Sequence, residues 1–369
     1  MIPFLELKPA YAELKDDIDA AVARVLGSGW YIGGPEVEAF EDQFARHCDA
    51  AHCIGVANGL DALHLSLRAL GVGEGDEVIV PSNTFIATWL AVTHAGAKPV
   101  PVEPREDTFN LDPDRVEDAI TPRTRAIIPV HLYGQPADLD AINAVARNHG
   151  LRVLEDAAQA HGARYKNRRV GAHSDLVSWS FYPGKNLGAM GDAGAITTDD
   201  ERLALELRRL RNYGSGQRYI NDVIGYNSRL DPVQAAILGA KLPYLDAWNE
   251  RRREIASVYQ ERLRDTGLIL PSSAGFADPV WHLYVVRHPR RDLLMRALEA
   301  RGIGSLIHYP VPPHRQRAYG SYATAALPIA ERMADQVLSL PMGPHLGVED
   351  AHKVADVINE IVASGVLDG

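Results

Sequence analysis

A lysine and an aspartate, each following an apolar segment, are the side chains best suited to chemistry in this sequence. Asp156 ends the run LRVLEDAAQAHG, and Lys185 follows in DLVSWSFYPGKNLG. A lysine amine can form an imine with a carbonyl compound, and a carboxylate can hold a proton on a nearby ring nitrogen. Taken singly, however, an aspartate after a strand is usually a turn residue, and a lone lysine is usually solvated.

Two further segments supply a phosphate site and an aromatic plane. CIGVANGLDAL places Asn58 and Gly59 at a predicted helix start, where backbone N–H groups can bind a phosphate. VIVPSNTF leads into Phe85, and Ser180 adds a hydroxyl. Asn-Gly alone is a routine turn and a phenylalanine is by default a core residue. Together with the lysine and the aspartate they form the set that pyridoxal 5'-phosphate (PLP) requires.

The pattern of apolar segments predicts an α/β fold. Amphipathic helices are expected to about Leu26 and after Pro35, and short apolar runs then alternate with helical stretches. Such alternation indicates βα units and a mainly parallel sheet, whose ligands bind beyond the carboxyl ends of the strands. The predicted strands are Cys53–Val56, Glu77–Val80, Lys98–Val102, Ala126–Val130, Leu151–Leu154, Leu176–Phe181 and Ala193–Thr197.

The last third of the chain predicts a smaller α+β domain. A helix-rich stretch from Pro232 to about Arg264 leads out of the sheet. Strands at Pro279–Val286 and Ile303–Ile307 are expected to bracket a helix, and Glu349–Ala363 to form a closing helix. We therefore expect a large domain over residues 1–245 and a small domain over residues 246–369.

Composition narrows the class of protein. The net charge of −10, with basic residues scattered among carboxylates, argues against nucleic acid and anionic membranes as partners. The two cysteines, Cys48 and Cys53, suggest neither a disulfide framework nor a metal site. Since no apolar run approaches a membrane span or a secretory signal, a soluble cytoplasmic protein is expected.

Three segments together resemble one family. EDAAQAHGA, SFYPGKNLGAMGDAGA and GYNSRLDPVQAA are arranged as in the DegT/DnrJ/EryC1/StrS family of PLP-dependent sugar aminotransferases, and the similarity runs from about Pro3 to the final helix. The resemblance implies a fold-type I PLP enzyme, similar to aspartate aminotransferase. It also implies a homodimer with two shared active sites.

The resemblance also implies roles for particular residues. Lys185 would be the imine-forming, catalytic lysine, and Asp156 would pair with the pyridine nitrogen. The remaining cofactor-binding residues would be Gln159 near the ring hydroxyl, Gly59, Leu60 and Ser180 at the phosphate, Phe85 stacked on the ring, and Asn227 reaching the neighbouring subunit's phosphate. Leu60 replaces a frequent Thr or Ser, so only its backbone N–H could serve.

The implied reaction moves an amino group from L-glutamate to a nucleotide-linked keto sugar. HLYGQ, SFYPGKN and RNYGSGQRYINDVIGYNSR look more like enzymes acting at C3 of a dTDP-3-keto-6-deoxyhexose than like C4 enzymes on dTDP- or UDP-4-keto sugars. IHYPVPPHRQ resembles a family stretch lining the sugar-nucleotide site. The candidate substrate-binding residues are Tyr182, Tyr213, Arg218, Tyr219, His308 and Tyr309.

Three alternatives have weaker support. A sugar dehydratase on the same scaffold would carry histidine in place of Lys185. A non-catalytic PLP-binding regulator would keep the same ligands, although no DNA-binding module is evident. A nucleotide-sugar oxidoreductase with NAD would need a phosphate loop, and GAMGDAG lacks the GxGxxG spacing.

Overall fold

The computed structural model describes residues 1–322 and 325–367. Its α-helices are α1 Lys8–Glu13, α2 Lys15–Ser28, α3 Pro35–His47, α4 Gly59–Ala69, α5 Ile86–His94, α6 Leu139–His149, α7 Glu201–Leu210, α8 Pro232–Lys241, α9 Leu245–Arg262, α10 Arg291–Glu299, α11 Pro328–Gln336 and α12 Val348–Ala363. Short 3-10 helices cover Pro113–Arg115, Glu117–Ala119, Leu132–Gly134, Leu242–Tyr244, Pro313–Arg315 and Arg317–Tyr322.

The strands form one large sheet and three small ones. They are β1 His52–Val56, β2 Glu77–Pro81, β3 Lys98–Val102, β4 Thr124–Ile127, β5 Arg152–Asp156, β6 Arg164–Tyr165, β7 Arg168–Arg169, β8 Leu176–Ser180, β9 Gly194–Thr198, β10 Ser215–Gln217, β11 Ile220–Asn221, β12 Ala277–Asp278, β13 Tyr284–Arg287 and β14 Val337–Leu340. The large sheet has the order β1-β9-β8-β5-β4-β2-β3.

The large sheet is mainly parallel. β9 runs antiparallel to both neighbours, whereas β8, β5, β4, β2 and β3 pair in parallel. This confirms the predicted α/β class. Each of the seven strands expected in the large sheet has a counterpart there, with ends that differ by a few residues.

Alternating side chains along the strands bury both faces of this sheet, as expected for a mainly parallel sheet covered by helices. In β8, Leu176 packs with the cluster formed by α4, α5 and α7, whereas Val177 and Trp179 pack with α3 and α8. In β4, Ala126 and Ile127 divide in the same way, the second facing α6. Helices therefore cover both faces, and ligands can reach the sheet only at its ends.

The C-terminal part is an α+β unit, but one predicted strand is wrong. β13 pairs antiparallel with β14, and α9, α10 and α12 share its apolar cluster. Residues 303–307 do not form a strand, because this segment divides its hydrogen bonds between two partners: it bridges Ile2 at one end and Ser339 at the other. The true partner, β14, was not predicted.

The strand expected over Pro279–Val286 is correct only in its second half. β13 begins at Tyr284 because Trp281 has a φ of +47°, which breaks the extended conformation. The peptide N–H of Val280 instead donates to the carbonyl of Gly134, and that of Leu283 to Tyr133. These bonds join the start of the C-terminal unit to the loop after β4.

The expected division of the chain at residue 245 coincides with the first residue of α9. The first residues of the chain, however, pair with the C-terminal unit, since Ile2 bonds to Gly302 and Gly304. The domain boundary stays a prediction. Among the described residues, no helix has both the length and the apolar character needed to cross a bilayer.

Candidate active site

Lys185 and Asp156 come together because their strands are neighbours. β5 ends at Asp156, and the parallel strand β8 ends at Ser180, five residues before Lys185. Burial lowers the pKa of Lys185 to about 8, while the charge of Asp156 acts in the opposite direction. The charge of each group therefore shifts the pKa of the other. Lys185 Nζ nevertheless forms no hydrogen bond or ion pair with any described residue. This arrangement suits two groups that face different atoms of one ligand.

The Asp156 carboxylate is buried and accepts a hydrogen bond on each oxygen. Thr88 Oγ1 donates to Oδ2 at 2.9 Å, and the N–H of Ala158 donates to Oδ1 at 3.2 Å. Burial raises the pKa of Asp156, and these two bonds and the Lys185 charge oppose that shift. A carboxylate held in this way can keep a protonated ring nitrogen charged.

The start of α4 forms a close-packed cradle against Ser180. Asn58 caps the helix by accepting from the N–H of Asp61 at 2.8 Å. The N–H groups of Gly59 and Leu60 have no acceptor in the described part of the chain. A Cβ on Gly59 would lie 2.6 Å from the Cβ of Ser180, so the backbone approaches Ser180 more closely than any other residue would allow. The combination of unpaired amides, hydroxyl and helix dipole fits an anion.

Aromatic and amide side chains close the other side of the site. Phe85, half-exposed where α5 begins, has its ring centroid 5.3 Å from that of Tyr309. Gln159 donates from Nε2 to the Tyr309 hydroxyl at 3.0 Å and accepts from the N–H of Tyr133 at 2.6 Å. The structure thus joins the predicted ring-stacking, ring-hydroxyl and substrate residues in one cluster.

His308 faces the same cluster from the C-terminal unit. Its Nδ1 lies 2.8 Å from Ser339 Oγ, and its carbonyl accepts from the Tyr133 hydroxyl. Burial, followed by the charge of Lys185, lowers the pKa of His308 to about 4. His308 is therefore neutral near pH 7 and can present an imidazole nitrogen to a sugar without adding positive charge.

The other predicted substrate residues do not reach this cluster within the chain. Arg218 and Tyr219 lie on the β10–β11 hairpin, and the guanidinium stands 4.9 Å from the Tyr219 ring centre. Tyr213 contacts Arg229 instead, and Tyr182 is exposed. Among the described residues, no side-chain hydrogen bond or ring contact links any of these four predicted residues to Lys185, Phe85 or His308, although the backbone carbonyl of Tyr182 accepts from the N–H of Lys185 at 2.8 Å.

Asn227 is exposed, and its side chain forms no hydrogen bond within the described ranges. Its backbone forms a bridge with Asn212. The next residue, Ser228, is buried and accepts from the N–H of Ala57, just before α4. The role of Asn227 toward a neighbouring subunit stays a prediction.

Sequence analysis missed three features around the site. Thr88 contacts Asp156 directly, although a threonine inside a helix carries no motif signal. His282 Nδ1 donates to Asn186 Oδ1 at 3.0 Å, and burial with the Lys185 charge holds the pKa of His282 well below its usual value. Buried His131 accepts from Ala137 N–H on Nδ1, so its ring proton lies on Nε2, 2.9 Å from a Glu155 oxygen.

Comparison with known proteins identifies the class. The model of the DegT/DnrJ/EryC1/StrS aminotransferase family matches residues 12–359, and the chain belongs to this family. The chain is 57% identical over 362 residues to dTDP-3-amino-3,4,6-trideoxy-alpha-D-glucose transaminase from Streptomyces venezuelae, covering 97% of this chain and 96% of that protein. It is 58% identical over 356 residues to the erythromycin biosynthesis sensory transduction protein EryC1 from Saccharopolyspora erythraea, covering 96% and 97%.

A solved structure agrees with these sequence matches. The crystal structure of S. venezuelae DesV in complex with a ketimine intermediate has a TM-score of 0.97 and 57% identity, with 98% of each chain covered. The family and the fold class predicted from the motifs are confirmed. The roles of individual site residues stay predictions, and the following experiments test two of them.

We expect Gly59→Ala to weaken cofactor binding, because its methyl group would collide with Ser180. Overpacking of this kind costs about 1–3 kcal/mol of the free energy of unfolding. Gly27→Ala in α2 is the matched control, since nothing lies within 4 Å of its Cβ. Denaturant unfolding and the PLP dissociation constant measure both effects. Equal PLP affinity in the two variants would contradict a role for Gly59 in binding the phosphate.

We expect the apoprotein to capture PLP faster as pH rises, with a midpoint near the Lys185 pKa of about 8, because the neutral amine is the nucleophile. Asp156→Asn should move this midpoint to lower pH, since the Asp156 charge raises the Lys185 pKa. Asp140→Asn, at an exposed ion pair with Lys166, is the control. Stopped-flow absorbance gives the rates. A midpoint that Asp156→Asn leaves unchanged would show that the Asp156 charge does not act on the Lys185 amine.

Proposed function

We propose that this aminotransferase uses PLP to move an amino group from L-glutamate to C3 of a dTDP-linked 3-keto-6-deoxyhexose. The observation that carries the proposal is the joint placement of Lys185 and Asp156 at neighbouring strand ends, beside the Gly59–Ser180 cradle. The name of the Streptomyces venezuelae relative specifies a dTDP sugar with an amino group at carbon 3. At 57% identity, this relative supports C3 rather than C4 as the aminated carbon.

The described residues fit PLP in type and position. The Gly59 and Leu60 amides and Ser180 would hold the phosphate, Asp156 the ring nitrogen, Gln159 the ring hydroxyl and Phe85 a ring face. When bound, PLP supplies an electrophilic carbonyl carbon and an aromatic ring that accepts electrons.

Lys185 would anchor the cofactor and carry protons. A pKa of about 8 leaves about a tenth of the amine neutral at pH 7, far more than for an ordinary lysine, so Lys185 could act as nucleophile and then as general base. Asp156 would provide a fixed negative charge at the ring nitrogen of the cofactor. Since the amine forms no hydrogen bond or ion pair with any described residue, it could move between the cofactor and the proton it transfers.

His308 and Tyr309 are the best placed of the six proposed substrate residues. Both lie near the Lys185–Asp156 pair, and the Tyr309 hydroxyl accepts from Gln159. Tyr182, Tyr213, Arg218 and Tyr219 are exposed. Arg218 and Tyr219 lie on the β10–β11 hairpin and would bind the sugar nucleotide only if it extends over that hairpin. Arg218 suits a diphosphate because its guanidinium can donate two parallel hydrogen bonds.

A homodimer with shared active sites agrees with the exposed apolar side chains. Trp30, Tyr31 and Ile32 form one exposed run, and Ile224, close to Asn227, is 88% exposed. Such surfaces usually mark an interface. The proposal places Asn227 at the neighbouring subunit's phosphate site.

The Saccharopolyspora relative is named a sensory transduction protein, which corresponds to the regulator alternative. The 57% identity to a dTDP-sugar transaminase favours catalysis. Lys185 and its lowered pKa would serve either function, because formation of the PLP imine already requires a neutral amine. Activity measurements decide between these two functions.

We expect efficient amination of dTDP-3-keto-6-deoxyglucose with L-glutamate, and little of the 4-keto isomer. Product identity comes from mass spectrometry and NMR. Lys185→Ala should abolish turnover, whereas Lys166→Ala, at an exposed ion pair, should not. Borohydride should attach PLP to the Lys185 peptide. Conversion of the 4-keto sugar alone would refute the C3 assignment, and bound PLP without any turnover would favour the regulator.

We expect mixed dimers of Lys185→Ala and Asn227→Asp chains to regain activity that neither parent has. If Asn227 serves the neighbouring site, one site of the mixed dimer carries both defects and the other carries neither. About half of the wild-type activity per dimer should return, because the two sites act separately. Mixed dimers shown by mass spectrometry to form, yet inactive, would place Asn227 in its own subunit's site.

A further inference from the structure

Two threonines form a hydrogen-bonded chain that ends on Asp156. Thr84 Oγ1 lies 3.0 Å from Thr88 Oγ1, and Thr88 Oγ1 lies 2.9 Å from Asp156 Oδ2. Both threonines are at most 2% exposed. The chain therefore lies in the interior, behind the carboxylate, where water does not compete for its hydrogen bonds.

The chain can have only one direction if Thr88 donates to Asp156. A hydroxyl carries one proton, so the Thr88 oxygen must then accept from Thr84. The N–H of Ala158 donates to the other carboxylate oxygen, Asp156 Oδ1. Both carboxylate oxygens thus receive donors, which is the arrangement that an ionised carboxylate prefers and a protonated acid does not.

The position of these residues on α5 connects them with the cofactor site. Thr84 precedes Phe85, the N-cap of α5, and Thr88 lies one helical turn further on. Thr84 lies outside the helix, so the hydrogen bond between the two hydroxyls, rather than helical spacing, joins them in one chain toward Asp156. The same turn thus presents an aromatic ring to the site and a pair of hydroxyls to Asp156.

We propose that Thr84 and Thr88 are positioning residues that keep Asp156 ionised and oriented toward the pyridine nitrogen of PLP. The inference rests on the proposed function, since it assigns Asp156 to that nitrogen. It adds a second layer to the site: Thr88 acts through Asp156, and Thr84 acts through Thr88.

Other groups near Asp156 do not replace this support. Lys185 favours the ionised carboxylate, but with a pKa of about 8 its amine loses its charge as pH rises. His131 also faces Asp156, although its ring proton points to Glu155. Tyr309 carries a neutral hydroxyl, which burial keeps protonated. The hydroxyl of Thr88 is a donor at every pH.

Thr88→Val keeps the shape of the side chain and removes its hydroxyl. Loss of a hydrogen bond to a charged group should lower kcat roughly tenfold or more, with the KM for the sugar nucleotide unchanged. Without this donor the pKa of Asp156 rises, so its carboxylate is protonated at a higher pH. As the pH is lowered, kcat and PLP affinity should therefore fall at a higher pH than in the wild-type protein. The acid-side change in the absorbance of bound PLP should move in the same direction.

Three variants separate this role from a structural one. Thr93→Val removes another hydroxyl of α5, which contacts the Trp89 carbonyl at 3.1 Å and Tyr319, and should leave the pH profile unchanged. Thr88→Ser should restore most of the Thr88→Val loss. Thr84→Val should shift the profiles in the same direction but less, since Thr88 can still donate to Asp156.

The result that would overturn the proposal is a Thr88→Val protein whose absorbance titration, PLP affinity and pH profile match those of Thr93→Val. Thermal unfolding of each apoprotein identifies a variant that fails through misfolding, and Thr88→Ser then carries the comparison: a wild-type profile supports the proposal, and a displaced one opposes it. Failure of the proposed function itself is distinguishable, because the wild-type protein would then bind no PLP, or would bind PLP without aminating the keto sugar.

Discussion

The burial of the Asp156 carboxylate beside the Lys185 amine is the constraint on which the site depends. Removing a carboxylate from water is costly unless hydrogen bonds and a nearby positive charge compensate. Here Thr88 and Ala158 supply the hydrogen bonds, and Lys185 supplies the charge. The same burial lowers the pKa of Lys185 to about 8. One environment therefore prepares both groups, an anion that stays in place and an amine that can lose its proton.

The mainly parallel sheet makes this environment possible. Parallel strands deliver their carboxyl ends to one edge, so residues from β1, β5 and β8 meet although they are distant along the chain. Antiparallel β9 also contributes there, because a Cβ on Gly194 would lie 2.4 Å from the Asn58 carbonyl. Close packing of glycines against Asn58 and Ser180 leaves the α4 amides facing outward. The cradle proposed to bind the phosphate is thus a consequence of how tightly the strands and α4 pack.

The C-terminal unit adds two of the proposed substrate-binding residues. His308 and Tyr309 reach the sheet edge through hydrogen bonds with Tyr133 and Gln159, both from the large unit. The proposed cofactor residues Asp156 and Ser180 therefore lie at strand ends, whereas the proposed substrate residues lie in the C-terminal unit, as His308 does, or on the exposed hairpin, as Arg218 does. This division explains why one family can keep its cofactor chemistry while its members differ in the sugars they aminate.

The α/β class, the family and the placement of Lys185 and Asp156 after predicted strands could all be predicted from the amino-acid sequence, because strand periodicity and the lysine motif are local signals. Tertiary structure alone revealed Thr88, His282 and the true strand β14. Their roles depend on contacts between distant segments: Thr88 matters only because α5 packs beside β5, and β14 exists only because β13 lies opposite. Residues 303–307 show the converse, since an apolar run typical of a strand found two separate partners instead of one continuous ladder.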